Sequence, residues 1–375
     1  MSTVHCELRT HSAALHLQQL FTGFSSLARK GVIDLTERLD ASATRPQDWT
    51  LTAFIRGRAV VYDVADNHRI DEQRLEAADF YFKRSFHESY VASLGAAAAK
   101  VHPLGLNYEV YPSHFDVHGA RRNFLAGRGT RRLSGALKAL GLGPGFMPRQ
   151  PLFEDASDHR HQPRVLFLTR AWDPNDSTDR GERFLRQREK INDMRAQCIE
   201  RLRRHFGDRV LAGFAHTEFA SRHYSSLLVA DPRISRKDVY LTTVRESDIC
   251  ITTTGLHGSI GWKLGEYVAL GKAIVSERLE HTVPGRFAAG VNYLEFRTPE
   301  DCVAMTDELF CNPGKRQAMR ARNRAYYERY LRPDQLVLNT LSVVLGRHVV
   351  TALTRGFAGD AVVPARTRAS SFAGD

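Results

Sequence analysis

The sequence predicts an α/β protein of two doubly wound units, and three observations lead there. Short apolar runs of strand length alternate with helical periodicities along most of the chain, the pattern of a largely parallel sheet covered on both faces. With 375 residues, 42% of them hydrophobic, the chain exceeds what one core usually serves and can supply two. Between Ser113 and Gln162 the periodicity gives way to Pro, Gly and charge clusters, which place a boundary near residue 160. The expected organisation is residues 1–160 as a first unit with a basic connecting arm, 161–350 as a second, and 351–375 as a disordered tail rich in small residues.

The elements follow in order. VHCELRT opens as a strand, and Leu15, Leu17, Leu20, Phe21, Phe24 and Leu27 give the next segment an apolar helical face that ends near Gly31. VIDL, AVVYDVA, a short helix at Glu72 to Ala77, FYFKRSF, an alanine-rich helix up to Ala99 and KVHPLGLNY complete the first unit. The second opens with the strand RVLFLTR, and Ile191, Met194, Cys198, Leu202 and Phe206 repeat at helical spacing until Gly207. VLAGF, DICITTT and AIVSE are its further strands, Thr298 with Asp301 reads as a capping box, and Pro313 starts the last well-marked helix.

Composition narrows the function. Lys and Arg number 53 against 42 Asp and Glu, a formal charge of +11 that favours anionic partners without choosing among them. Cys6, Cys198, Cys250, Cys302 and Cys311 are odd in number and lack the C-x-x-C spacing of a zinc or redox site, which fits a reducing cytoplasm. MSTVHCELRTH has none of the apolar length of an export signal, and TLSVVLGRHVVTALT falls short of the roughly 20 apolar residues of a membrane span. The expected location is cytoplasmic. Histidines such as HRH at 159–161 lack acidic partners at ligand spacing, so neither a metal nor a bound cofactor is expected. No reader motif supports nucleic-acid binding.

The densest signal is TTTGLHGSIGWKLGEYVALGKAIVSE, Thr252 to Glu277, read as strand, glycine loop, helix and strand. A parallel sheet would put Gly255 to Gly261 at a strand's carboxyl end and a helix N-terminus, where backbone N–H groups favour phosphate. Glycines let the backbone approach the oxygens, and Ser259 adds a hydroxyl. Lys263 and Glu266, three residues apart on the helix, would offer a cation to the phosphates and a carboxylate further along. The competing reading makes them a solvated ion pair and the glycines mere turns.

SDICITTTGLHGSIGWKLGEYVALGKAIVSE resembles the donor-site segment of GT-B glycosyltransferases, particularly the group labelled "glycosyl transferases group 1". The corresponding pieces are the strand SDICITTT, the loop GLHGSIG, Glu266 followed by Gly271, and the strand AIVSE; the resemblance continues through PGRFAAGVNYLEF and TPEDCVAMTDELFCNPGKRQAMRARNRAYY. It covers roughly Arg164 to Leu336 and reaches the first unit only in outline. It implies a GT-B fold of two facing Rossmann-like units and a nucleotide-diphosphate sugar as donor substrate, with Glu266 holding the ribose. One position departs: the family's earlier Glu, which usually contacts the donor sugar in retaining enzymes, falls on Gly258 beside His257, leaving retention or inversion open. His257 is the nearest replacement donor of a hydrogen bond.

Further candidates lie at other strand ends. Arg170, after RVLFLT, would face the diphosphate with a bidentate guanidinium, or else pair with Asp173. A base for the acceptor hydroxyl would come from a strand end of the first unit, with His11 and Asp66 as first choices; Asp63 and His68 are neighbours, and an Asp there is commonly a turn residue. Lys83 and Arg84, with Asn107 and Tyr108, would meet an anionic acceptor or close on the donor from the opposite unit, or else Lys83 and Arg84 form a solvated pair. Arg121, Arg122, Arg128, Arg131, Arg132 and Lys138 alternate with Phe124, Leu125, Leu133, Leu137 and Leu140, a segment compatible with peripheral contact to an anionic inner-membrane face, but Gly127 and Gly129 argue against one continuous helix and favour a solvated inter-domain arm. The expected activity is metal-independent transfer of a sugar to a hydroxyl of a glycan, glycolipid or small molecule; the alternatives are a nucleotide-sugar epimerase and a catalytically silent carbohydrate-binding protein.

Overall fold

The computed structural model describes residues 3–10, 14–39, 48–126, 131–140, 142, 146–154, 163–175 and 181–355. His11, the boundary near residue 160, HRH at 159–161 and the tail from 356 lie outside the described residues. Thr351 to Arg355, placed in the tail by composition, are helical.

The first sheet contains β1 (Val4–Thr10), β2 (Ile33–Leu39), β3 (Thr50–Ile55), β4 (Arg58–Asp63), β5 (Phe80–Lys83) and β6 (Val101–Pro103), ordered β2-β1-β3-β4-β5-β6. Its helices are α1 (Gln18–Arg29), α2 (Glu72–Ala77) and α3 (Glu88–Ala92). Four of its strands were expected at or near these positions, and KVHPLGLNY shortens to β6. β3 was not anticipated. Its residues alternate half-buried and buried, and Arg56 and Gly57, both at positive φ (49° and 79°), turn it back into β4. β3 runs antiparallel to both β1 and β4, so the sheet is mixed where a largely parallel one was expected.

The arm contributes α4 (Val117–Ala126), α5 (Arg131–Ala139) and the short α6 (Pro151–Glu154). The second unit follows with β7 (Val165–Thr169), α7 (Glu182–Phe206), β8 (Val210–Phe214), α8 (Glu218–His223), α9 (Lys237–Arg245), β9 (Ile249–Thr252), α10 (Trp262–Ala269), β10 (Ala273–Glu277) and β11 (Leu294–Phe296). Its five strands, ordered β11-β10-β9-β7-β8, are all parallel. β7 and β9 are buried at every residue, as strands covered by helices on both faces must be. The capping box of Thr298 and Asp301 opens α11 (Pro299–Cys311), and Pro313 opens α12 (Pro313–Tyr326). The arrangement is the two-unit α/β architecture expected of the GT-B class.

Two features bind the units. Residues after β6 leave the first sheet, and Leu106, Tyr108 and Val110 enter the core between the second sheet and α10. In the other direction, α12 runs through a π-turn at Tyr327–Leu331 into α13 (Pro333–Leu345) and α14 (Arg347–Arg355), which return to the first sheet. Leu336, Val337, Leu341 and Val344 join Leu20, Phe21, Phe24 and Leu27 of α1 in one core. Gln19 Nε2 donates to the Leu331 carbonyl at 2.8 Å, Lys30 Nζ pairs with Asp334 at 2.7 Å, and Tyr62 and Thr340 share a hydroxyl bond of 2.8 Å.

Gly23 lets α1 and α13 meet: a Cβ there would stand 2.3 Å from the Pro333 carbonyl oxygen and 2.6 Å from Val337 Cγ2. The obstacle is backbone, so Gly23→Ala must move a helix. Chemical denaturation should show a loss of about 1–3 kcal/mol, the usual cost of overpacking. Gly314→Ala in α12, whose Cβ would meet nothing closer than 3.6 Å, should be neutral or stabilising by up to about 1 kcal/mol.

Candidate functional site

The strand ends of the second unit are gathered by a residue that sequence reading missed. Arg195, buried on α7, donates from Nε to Thr253 Oγ1 at 2.8 Å, from Nη1 to the Arg170 carbonyl at 2.6 Å and from Nη2 to the Thr254 carbonyl at 3.1 Å. Burial lowers this guanidinium to about 10. It thereby ties the loops after β7 and β9 together, and nothing distinguishes it in sequence from the many other charges of α7. Glu277, at the end of β10, accepts from Thr254 N at 2.7 Å and Thr254 Oγ1 at 3.0 Å. Arg170 is exposed at this edge with its guanidinium 4.5 Å from the Trp172 ring centroid, and the Trp172 backbone is held at both its N–H and carbonyl by Asn192. Asp173, the alternative partner, accepts instead from Asn175 N.

The glycine loop turns sharply between β9 and α10. Gly255 N donates to the Ser259 carbonyl at 2.8 Å, and Ser259, whose side chain was expected to offer a donor, is buried. His257 and Gly258 both take left-handed backbone, φ 61° and 66°, and the Phe184 ring packs edge-on against His257 at 5.5 Å. The departure at Gly258 has a local physical reason. A Cβ there would stand 2.4 Å from Glu280 Oε2, so a carboxylate from the loop after β10 fills the space that a side chain at 258 would take. Gly261 starts α10 without a side-chain cap, and a Cβ on it would meet nothing within 4 Å. The space beside Gly261, at the start of α10, is therefore free, while Trp262 on its other side packs against His16.

Lys263 and Glu266 do not pair with each other. Lys263 donates to the Leu168 carbonyl, with its ammonium 5.6 Å from the Tyr240 ring centroid. Its side chain is only part-buried by exposed area, but the ammonium is enclosed; burial first, then Arg195, lowers it to about 8. Glu266 is 2% exposed and accepts from Lys237 of α9, whose Nζ also lies 3.7 Å from Glu109 Oε2. The solvated-pair alternative is thus overturned by burial and by the partners each residue takes.

On the first unit, Lys83 and Arg84 are not a solvated pair either. Lys83 is fully buried and bonded to Asp63 at 2.8 Å, which also accepts from Tyr81 at 2.6 Å. Arg84, 4% exposed, donates to Asp66 at 2.6 Å, to the Val64 carbonyl at 3.2 Å and across the junction to the Ile260 carbonyl of the glycine loop. Asp66 keeps part of its carboxyl open to solvent. His16, unremarked in the sequence, stands beside it: its ring is 4.7 Å from Trp262 and 5.5 Å from Trp49, and burial and Arg84 lower its pKa while Asp66 opposes them. Asn107 Nδ2 bonds the His16 carbonyl at 3.0 Å, and the Asn107 carbonyl oxygen would lie 2.6 Å from a Cβ on Gly265, so α10 touches the first unit through a glycine.

The loops after β4 and β5 and those after β9 and β10 thus meet: Arg84 reaches Ile260, Thr282 N donates to the Phe86 carbonyl at 2.8 Å, and His16 packs on Trp262. Carboxyl ends of parallel strands are where open α/β sheets bind ligands. A shallow depression of about 500 Å³ lined by Pro163, His205, Phe206 and Phe310 lies at the opposite, amino end of the second sheet, before β7 begins, with none of the groups just described. Among the described residues no three His, Cys, Asp or Glu converge as metal ligands, and no helix is long and apolar enough to cross a membrane.

No protein-family model matches the chain, and no curated protein matches it. Among solved structures it is similar to a glycosyltransferase from Rickettsia africae (10% identity, TM-score 0.37, 89% of this chain and 81% of that one). It is also similar to HepE of Anabaena, crystallised in complex with UDP (13%, 0.38, 77% and 73%). A third is the C-terminal domain of a glycosyl transferase group 1 family protein, LpcC, from Francisella tularensis (11%, 0.29, 48% and 90%).

Lys263 gives the site a pH signature. Its pKa falls from 10.5 to about 8 on folding, so within that window the unfolded chain holds the extra proton and stability due to this group rises with pH. Lys263→Met should remove that rise: the variant's stability advantage over wild type, measured by denaturant titration, should shrink as pH climbs through the window. An advantage that does not change with pH would mean that the ammonium is not enclosed.

Proposed function

We propose that the protein transfers a sugar from a nucleotide-diphosphate donor, held on the second unit, to a hydroxyl acceptor presented by the first. The observation that carries this reading is the open N-terminus of α10 at Gly261, flanked by Lys263 and Arg170, directly opposite Asp66 and His16. Backbone N–H groups and two cations suit a diphosphate, and the charge that develops on it as it departs would be stabilised by groups already in place. No metal is required for that part of the chemistry.

Each remaining residue takes a role from its surroundings. Glu266 receives the ribose hydroxyls, with Lys237 setting the orientation of its carboxylate. Glu280 supplies, from the loop after β10, the carboxylate missing at Gly258, and His257 stands beside it as a donor to sugar or phosphate. Asp66, oriented by Arg84, takes the proton of the acceptor hydroxyl. His11, on the same unit, remains the second candidate for that proton. Ser259 acts through the loop conformation, since its backbone closes on Gly255 and Leu256.

The reading extends to an anionic membrane face as the place of the acceptor. Phe115, Val117, Phe124, Leu125, Leu133 and Phe146 are large apolar side chains exposed on or near α4 and α5 in the chain, and Arg121 is exposed on the same face of α4 as Val117 and Leu125. Arg122 does not belong to that face: it is buried, bonded to Glu37 at 2.7 Å and stacked 3.5 Å over Phe21, and it anchors α4 to the first sheet.

A thermal-shift panel of UDP, GDP, CMP, ADP and TDP tests the donor site, since a ligand bound only by the native state raises the melting temperature. No shift with any nucleotide would favour a catalytically silent protein; a shift followed by turnover of the donor without transfer would favour an epimerase. With the active nucleotide, Glu266→Gln should weaken binding by about 1.5–3 kcal/mol for nucleoside and diphosphate alike. Lys263→Ala should weaken the diphosphate far more than the nucleoside. Calorimetric affinities unchanged in both folded variants would end the donor-site assignment.

Reversing the charge of Arg121, Arg131 and Arg132 should abolish sedimentation with anionic vesicles at low salt while leaving nucleotide affinity intact. Wild-type protein that ignores such vesicles would remove the membrane from the reading.

A further inference from the structure

The buried face of α7 changes chemistry along its length. Toward the C-terminus it presents Cys198, Ile199, Leu202 and Phe206 to the apolar core of the second unit, as the inner face of a helix covering a sheet should. Before that it presents Arg188, Asn192 and Arg195, which are 5%, 1% and 6% exposed. Two guanidiniums and an amide drawn out of water need partners, and all three find them on one short loop, the residues that follow β7. Arg195 Nη1 donates to the Arg170 carbonyl at 2.6 Å, Asn192 accepts from Trp172 N at 2.8 Å and donates to the Trp172 carbonyl at 2.7 Å, and Arg188 Nη1 donates to the Pro174 carbonyl at 3.1 Å.

The pairing is regular. The loop runs against the helix, so that Arg170 meets Arg195, Trp172 meets Asn192 and Pro174 meets Arg188. Two residues of chain reach up to about 7 Å and three or four helical residues rise about 5 Å, so loop and helix keep step. Stability alone does not ask for this stripe, since buried charges can often be replaced by apolar side chains of similar volume without loss. What the stripe adds is a loop with one backbone conformation. Its bonds to the loop use main-chain groups, and the Arg170 side chain stays exposed, with no hydrogen-bond or ionic partner for its guanidinium among the described residues. That guanidinium lies 4.5 Å from the ring centroid of Trp172, the residue whose N–H and carbonyl are both held. Arg195 carries the same grip across to Thr253 Oγ1 and the Thr254 carbonyl, so Arg170 is fixed relative to the glycine loop that leads into α10.

We infer that Arg188, Asn192 and Arg195 form a clamp that holds Arg170 in place for the donor's diphosphate before the donor arrives, and that Asn192 and Trp172 are positioning residues acting through Arg170. The diphosphate as the group that Arg170 meets rests on the glycosyl-transfer reading; the clamp does not. Ordering a long side chain at the moment of binding weakens affinity by about two- to tenfold, and a guanidinium already laid on an indole face avoids that loss.

The test uses the full chain and calorimetric titration with UDP and uridine, or GDP and guanosine, whichever nucleotide raises the melting temperature. Asn192→Ala should weaken the diphosphate by about two- to tenfold and leave the nucleoside unchanged. Trp172→Leu, which leaves the buried face of α7 intact and carries the test should Asn192→Ala fail to fold, should do the same. Trp172→Phe keeps an aromatic face for the guanidinium and should restore most of the affinity. In an Arg170→Gln background neither Asn192→Ala nor Trp172→Leu should weaken the diphosphate further, because changes that act through one residue are not additive. Equal losses for nucleoside and diphosphate, equal losses in both backgrounds, or an unchanged diphosphate affinity in the folded variants would overturn the positioning role. The clamp has its own readout in hydrogen exchange followed by mass spectrometry over residues 170–175. Exchange should quicken in Asn192→Ala, where the Trp172 amide loses its acceptor, and exchange that does not change would overturn the clamp. Wild-type protein that binds no nucleotide would sink the glycosyl-transfer reading and the diphosphate role with it, whereas quickened exchange in Asn192→Ala would still leave the clamp standing.

Discussion

The junction depends on one buried guanidinium. Arg84 is drawn out of water at the end of β5, and its hydrogen bonds are divided between the first unit, at Asp66 and the Val64 carbonyl, and the second, at the Ile260 carbonyl. A charge buried this deeply is tolerated only where its donors are satisfied, and losing a partner leaves it uncompensated at a cost of about 3–5 kcal/mol. The glycine loop is therefore held where its carbonyl can serve Arg84. That position in turn orients α10, sets Gly265 against Asn107, and leaves the start of α10 open at Gly261. A lysine at 84 could not make the same set of contacts, since they are divided between Nη1, which serves Asp66 and Val64, and Nη2, which serves Ile260, on a rigid planar fork.

The same economy appears in the paired carboxylates. Glu266 and Glu109 flank Lys237, and Asp63 is shared by Lys83 and Tyr81, so charges that read in sequence as surface features are internal and matched. Asp63 and Lys83 lie at the carboxyl ends of β4 and β5, where open α/β sheets bind ligands. Lys263 differs from the others in its contacts: its ammonium has a carbonyl and an aromatic face near it, with cations at Arg195 and Lys237 opposing its charge and Glu266 favouring it.

Much of the second unit was legible because local pattern and tertiary role agree there. VLAGF and AIVSE form strands at the residues read, the Thr298 box caps α11, and the glycine loop joins β9 to α10. What escaped was long-range. β3 was unread because its alternation is short and its meaning lies in antiparallel partners on either side; the Arg56–Gly57 turn was the available signal. Arg195 looks like any charge on a helix until Thr253, Thr254 and Arg170 surround it. The departure at Gly258 was visible in sequence, whereas its reason, Glu280 from another loop, was not.

The return of α13 and α14 to the first sheet has a consequence during synthesis. The strands and α1 of the first unit emerge from the ribosome early, but the apolar face formed by Leu20, Phe24 and Leu27 is covered by Leu336, Val337 and Leu341, which are made some three hundred residues later. Until then the nascent unit carries an uncovered hydrophobic face, the kind of surface that chaperones hold and that aggregates when they do not. The first unit therefore completes its core only after α13, which follows the strands and helices of the second unit in the chain, has been translated.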